Sequence, residues 1–175
     1  MPVAAVAGRA DILSQAGLEQ GLKVKFQGGT YGAHPASMLA GRAFLSHLVE
    51  KESEIYPRMA EIGRKTREAV SRVFAEEGLS VRFAGDRSDV LPGSSLHLLL
   101  FPYEEGLQLD VPEQVRSPAV CDLTLGEKVL QLALLLENVY TVHGLGCTTA
   151  AHTEKDIEFL ADACREAARR IKPHL

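Results

Sequence analysis

Between residues 55 and 74 the apolar side chains recur at helical spacing: Ile55, Met59, Ile62, Thr66, Ala69, Val70, Val73 and Phe74. A stripe of about five turns needs a surface to bury against, so the chain must build a core around one long helix. Pro57 either sits in the first turn of that helix or kinks a continuous one. Arg58, Glu61, Arg64, Arg67, Glu68 and Arg72 mostly fall on the opposite side and read as a solvated face. Gly78 is placed to stop the helix.

Beyond Gly78 the chain alternates between strand and helix periodicities. Ser80 to Ala84 predicts a short strand and Gly85 to Gly93 a loop. Ser95 to Phe101 is the strongest strand pattern, with His97 inside it. Pro102 to Pro118 has three prolines and no periodicity, which predicts a long surface connection. Thr124-Leu125-Gly126-Glu127 has the form of a capping box. The helix after it carries Val129, Leu132, Ala133 and Leu136 and ends at Asn138. Val139 to Val142 predicts a third strand and His143 to Thr149 a loop. Thr153 with Asp156 caps a last helix, whose apolar face is Ile157, Leu160, Ala161, Cys164, Ala168 and Ile171. A long helix followed by strands interleaved with two more helices is an α+β unit.

Before residue 50 the pattern changes. Pro2 to Ala7 is small, uncharged and partly β-branched, and predicts a buried strand of a parallel sheet. Asp11 to Gln15 predicts a short helix, and Gly17 to Gly28 an exposed loop. Pro35 to Val49 predicts a helix with Leu39, Ala43, Phe44 and Leu48 on one side. Its entrance, Gln27-Gly28-Gly29-Thr30-Tyr31-Gly32-Ala33-His34-Pro35, is rich in glycine, which lets backbone approach a ligand closely. A helix start presents free N–H groups and a positive dipole end, which suits an anion; capping alone accounts for the same residues.

Composition removes several function classes. A net charge of −4 makes no electrostatic case for nucleic acid or an anionic membrane surface. No apolar run is long enough to cross a bilayer, and the N-terminus has no basic flank before an apolar core; a cytoplasmic protein is expected. Cys121, Cys147 and Cys164 are widely spaced and odd in number, which predicts free thiols. The six histidines show no metal-ligand spacing, so no metal is expected.

Three segments carry a resemblance. Gly29-Thr30-Tyr31-Gly32-Ala33-His34-Pro35 with Ala36-Ser37-Met38-Leu39-Ala40-Gly41, Met1-Pro2-Val3-Ala4-Ala5-Val6-Ala7-Gly8-Arg9, and Ala150-Ala151-His152-Thr153-Glu154-Lys155-Asp156-Ile157 occur in the order seen in class III pyridoxal-phosphate aminotransferases. The similarity is greatest to glutamate-1-semialdehyde 2,1-aminomutase and its relatives, and it covers the last part of that family's chain. It implies an α/β protein: the C-terminal α+β small domain of a fold type I transferase with the tail of its large domain. Residues 1–34 would be that tail, with a strand and a cofactor-phosphate loop. Residues 35–175 would be the linking helices and the small domain.

The resemblance also implies chemistry. Gly29, by its N–H, and Thr30, by N–H and hydroxyl, would contact the phosphate of pyridoxal 5'-phosphate in the neighbouring subunit of a homodimer. A turn with a threonine cap is the simpler account of the same residues. Gly32, Ala33 and His34 depart from the family's Ser, Gly and Asn. The family's cofactor-holding lysine belongs a few residues before the strand that here begins at Met1. Lys23, Lys25, Lys51, Lys65, Lys128, Lys155 and Lys172 match no such position. The chain is therefore expected to be inactive alone, with no catalytic residue of its own, and to need the lysine-bearing half, while the substrate class would be an amino acid or amino ketone. Gly144 stands where true aminomutases carry a glutamate, which favours a related aminotransferase or a decayed homologue. The alternative is a non-catalytic dimerisation or binding module. His97 is expected to have a satisfied ring, His47 to lie on a helix surface, His152 to bond at a helix entrance, and Cys147 to pack as a small residue.

Overall fold

In the computed structural model of the 175-residue chain, the residues described are 3–16, 34–84, 94–107, 109, 111–142 and 144–175. They form two compact units, Met1–Glu52 and Ser53–Leu175.

The first unit contains a short helix α1 (Ala10–Leu13) and the helix α2 (Pro35–Glu50). Pro35 occupies the first turn of α2, where its missing N–H costs nothing. The Ser37 N–H lies 3.4 Å from the Nδ1 of His34, the N-cap residue. Two expectations are corrected here. The segment from Val3 to Ala7 makes no ladder among the described residues and is exposed, Val3 by 50% and Val6 by 71%. A buried parallel strand needs partners for its N–H and C=O groups, and none is provided. On α2 the side of Leu39 and Phe44 is not buried: these two are 68% and 60% exposed, and the helix buries Ser37 and Gly41 instead. Gly41 is buried because Val3 lies over it; a Cβ there would come within 3.1 Å of Val3 Cγ2.

The second unit is organised around α3 (Glu52–Glu76), a continuous helix with Pro57 inside it. It buries Ile62, Gly63, Thr66, Ala69, Val70, Val73 and Phe74, which is the sequence stripe from Ile62 onward plus one glycine; Ile55 and Met59 at its start are only half-buried. It ends in a Schellman motif: Gly78 has φ +76°, its N–H donates to Ala75, and the Leu79 N–H donates to Phe74. Against α3 packs α6 (Glu154–Ile171), burying Ile157, Ala161, Cys164, Ala168 and Ile171. The Asp156 carboxylate accepts from the Thr153 N–H at 2.7 Å and its hydroxyl at 2.8 Å, as the sequence predicts for this cap.

The strands are short. Among the described residues β1 (Arg82–Phe83), β2 (Leu96–His97), β3 (Leu99–Leu100) and β4 (Gly146–Cys147) form two separate antiparallel pairs, β1 with β3 and β2 with β4. The predicted strand Ser95 to Phe101 is thus two pieces that change partner at Leu98: the His97 carbonyl accepts from Leu145 N–H, and that of Leu98 from Ala84 N–H. The predicted third strand at Val139 to Val142 is absent. It shows alternating burial, Tyr140 and Val142 out and Thr141 in, but has no ladder. Its place is taken by Gly146–Cys147, inside the expected loop.

Two more corrections concern the middle of the chain. The connection from 102 to 118 carries a small helix α4 (Pro112–Val115), and Leu109 is fully buried with Leu100 and Cys121 in a second apolar cluster. The next helix starts with a π-helical turn (Leu125–Val129) and continues as α5 (Leu130–Leu136). Thr124 makes no capping bond; the Asp122 carboxylate accepts from the Leu125 N–H at 2.9 Å instead. Asn138, φ +62°, then closes α5 as predicted, with the Val139 N–H donating to Leu134.

Candidate functional site

Gly29 and Thr30, the residues expected to hold a phosphate, lie outside the described residues, as does His143. Within the second unit the polar residues gather where β2 and β4 meet the start of α6. His97 is 2% exposed, held by the β2–β4 ladder. Its Nε2 lies 3.1 Å from Thr148 Oγ1, and the Thr148 hydroxyl and N–H both donate to the Ser95 carbonyl. Among the described residues the buried Nδ1 has no hydrogen-bond partner, so there the expectation of a satisfied ring is met at one nitrogen only. Burial, then the nearby Arg67 and His152 charges, lower the His97 pKa to about 4. The ring is neutral at pH 7.

The surrounding cations are already engaged. Arg67 Nη1 donates to the Ser94 carbonyl at 2.5 Å, so it is not purely a solvated-face residue, and burial lowers its pKa. Arg58 donates to the Ala150 carbonyl at 2.7 Å and the His152 carbonyl at 3.3 Å. Lys65 pairs with Glu154. Arg58, Lys65, Glu154 and Glu61 line an open cleft of about 310 Å³ in which the two carboxylates offset the two cations. Such a cleft has no surplus charge to offer an anion. His152 Nδ1 accepts from the Thr149 N–H at 2.9 Å, the helix-entrance role expected of it. Arg64 bridges Glu61 and Glu68 on the exposed face of α3.

The thiols are free: Cys121 and Cys164 are buried, and burial raises both, Cys164 to about 12. Cys147 is exposed, not packed, which corrects the expectation for it. His47 is exposed on α2. Among the described residues no group of His, Cys, Asp and Glu could hold a metal ion. The described lysines, at 51, 65, 128, 155 and 172, are exposed or half-buried. No described helix is long and apolar enough to cross a membrane.

The site depends on two glycines: the sequence reading passes over Gly63 and notes Gly144 only for its place in the family resemblance. A Cβ on Gly63 would fall well inside contact distance of the Ser94 carbonyl. A glycine in the middle of a helical stripe is the available signal for such a close approach. Gly144 has φ +69°, and a Cβ there would come within 2.9 Å of the His97 carbonyl oxygen.

No family model matches the chain. Three curated proteins named glutamate-1-semialdehyde 2,1-aminomutase are similar to it. The one from Akkermansia muciniphila is 25% identical over 174 residues, 98% of this chain and 36% of its own length. The one from Sorangium cellulosum is 29% identical over 170 residues, 95% of this chain and 34% of its own. The one from Halorubrum lacusprofundi is 31% identical over 87 residues, 50% of this chain and 18% of its own. The chain therefore spans about a third or less of the length of the relatives it matches. Similarity along nearly all its residues relates the chain to the glutamate-1-semialdehyde 2,1-aminomutases of the class III pyridoxal-phosphate family.

Proposed function

We propose that the chain is a portion of a pyridoxal-phosphate-dependent class III aminotransferase or aminomutase-like enzyme. It supplies the C-terminal α+β small domain of fold type I and the tail of the large domain. The observation that carries this is the match of 95–98% of the chain to two aminomutases. In this reading Gly29 and Thr30 bind the cofactor phosphate of a neighbouring subunit in a cytoplasmic homodimer. The cofactor supplies the electron sink for amino-group chemistry on an amino acid or amino ketone. The lysine-bearing half of such an enzyme completes the site, and these 175 residues alone are inactive. Gly144 supports aminotransferase over aminomutase chemistry. Its positive φ and the close His97 carbonyl leave no room for a glutamate side chain without moving the backbone.

The second reading, a non-catalytic dimerisation or binding module, is favoured by the exposed or half-buried state of every described lysine. One experiment separates the two. Pyridoxal phosphate is titrated against the chain alone and against the chain completed with a lysine-bearing half, each with Thr30 and with Thr30→Ala. The proposal expects a borohydride-trappable adduct only in the completed enzyme. It expects Thr30→Ala to weaken cofactor binding at the low end of about 1.5–3 kcal/mol, since the N–H of residue 30 survives. A completed enzyme that binds no cofactor leaves the module reading standing.

A further inference from the structure

The second unit contains a partly open, mainly apolar pocket of about 120 Å³ between the two apolar clusters. Leu98, Leu100, Phe101, Val115, Cys121 and Gly126 form its walls. Gly126 is the informative residue. It sits in the π-helical turn, where glycine costs about 0.5–1 kcal/mol relative to alanine. Nothing in the backbone requires it, because its φ is not among the positive ones. Nothing around it forbids a side chain: a Cβ would meet Phe101 Cδ2 at 3.7 Å and the Leu99 carbonyl oxygen at 3.8 Å, ordinary contacts. Gly63 and Gly144 are held as glycine by close carbonyls; Gly126 is not. Its missing side chain enlarges the pocket. π-helical turns themselves occur most often at functional sites.

We propose that this pocket is a binding site for a small, uncharged apolar group about the size of a benzene ring. An apolar cavity of about 150 Å³ stays dry and takes up benzene or xenon, and the volume of this pocket is of that order. Cys121 suits the role as a small hydrophobe, since its buried thiol is held protonated. The polar residues of the lining, Arg116, Asp122 and Glu127, are exposed or half-buried, and Asp122 is already committed to the Leu125 N–H.

Benzene is titrated into the full 175-residue chain while methyl resonances and the melting temperature are monitored. The expected result is a saturable shift confined to the Leu98, Leu100 and Val115 methyls, with a rise in melting temperature. Gly126→Ala should fold, melt higher without benzene, and weaken uptake at least threefold. Val115→Leu, which fills the pocket from the opposite wall, should weaken uptake likewise. Unsaturable shifts, shifts centred on the exposed leucines of α2 or α5, or uptake by both variants as strong as the parent's would overturn the proposal.

Discussion

Three glycines in the second unit look alike in the sequence and behave differently. Gly63 is buried in α3 because the Ser94 carbonyl passes over it, with Arg67 donating to the same oxygen. Gly63→Ala should therefore destabilise the chain by about 1–3 kcal/mol, against the helix preference for alanine. Urea unfolding of Gly63→Ala beside Gly126→Ala checks it; the two should move in opposite directions. His97 gives a second residue-scale prediction. Burial holds its pKa near 4 against an ordinary 6.5, so between those values the unfolded chain binds more protons than the folded one. The stability contributed by the neutral ring is complete above pH 6.5 and is lost as pH falls toward 4. Arg67 and His152 act in the same sense, since both disfavour a charged ring. Unfolding free energies from pH 7 to pH 4 should fall more steeply in the parent than in His97→Phe; parallel profiles would show that the ring does not titrate in this way.

At the scale of elements, helix ends decide the boundaries and side chains decide the helix ends. Thr153 with Asp156 behaves as its spacing suggests, and the bonds from Thr153 hold the Asp156 carboxyl below its usual range. Thr124 with Glu127 has the same spacing and does not cap. The chain turns helical two residues earlier, from residue 123, and Asp122 reaches the orphan N–H first. Asp122→Ala should cost about 0.5–2 kcal/mol and Thr124→Ala far less. Thermal melts of the pair settle which residue is the cap. The strands show the opposite limitation. A run such as Ser95 to Phe101 announces extended backbone, but a ladder is a property of two segments. Here β2 finds β4 and β3 finds β1, a division no feature of the run itself reveals.

For the whole molecule, the two units differ in how much they bury. Val70, Val73, Phe74, Leu130, Leu134, Cys164, Ala167 and Ala168 have no exposed surface in the second unit. In the first, residues 3–16 are exposed throughout, and α2 presents Leu39, Phe44, Leu45 and Val49 to solvent. Local stability depends on buried contacts, so the first unit should open far more readily. Hydrogen exchange on the isolated chain should show rapid exchange at Val3 to Val6 and strong protection at Val70, Leu134 and Ala167. Protection of Val3 to Val6 in a demonstrated monomer would contradict this. Adding a lysine-bearing half, if the proposed function holds, should slow exchange in the first unit selectively.

By itself the sequence determined α3 and α6 with their inward faces, and the glycine and asparagine stops of α3 and α5. Each of these depends on neighbours within about a turn, and the spacing of Ile62, Thr66, Val70 and Val73, or of Ile157, Ala161, Cys164 and Ala168, states it directly. On the helix that continues as α5 it named Val129, Leu132 and Leu136, which are exposed, where the structure buries Leu130, Ala133 and Leu134. It also carried the resemblance to the aminomutases through residues 29–41 and 150–157. Only the tertiary structure decided that Gly63 and Gly144 must be glycine, that Asp122 outcompetes Thr124, and that His97 keeps one ring nitrogen without a partner among the described residues. It likewise decided that Gly146–Cys147 pairs where Val139 to Val142 does not. In each case the deciding atom belongs to a segment distant in sequence, or to a bond for which nearby residues compete. Burial of an apolar stripe is announced by its own pattern, whereas a carbonyl passing over a glycine is announced by nothing in that glycine's neighbourhood.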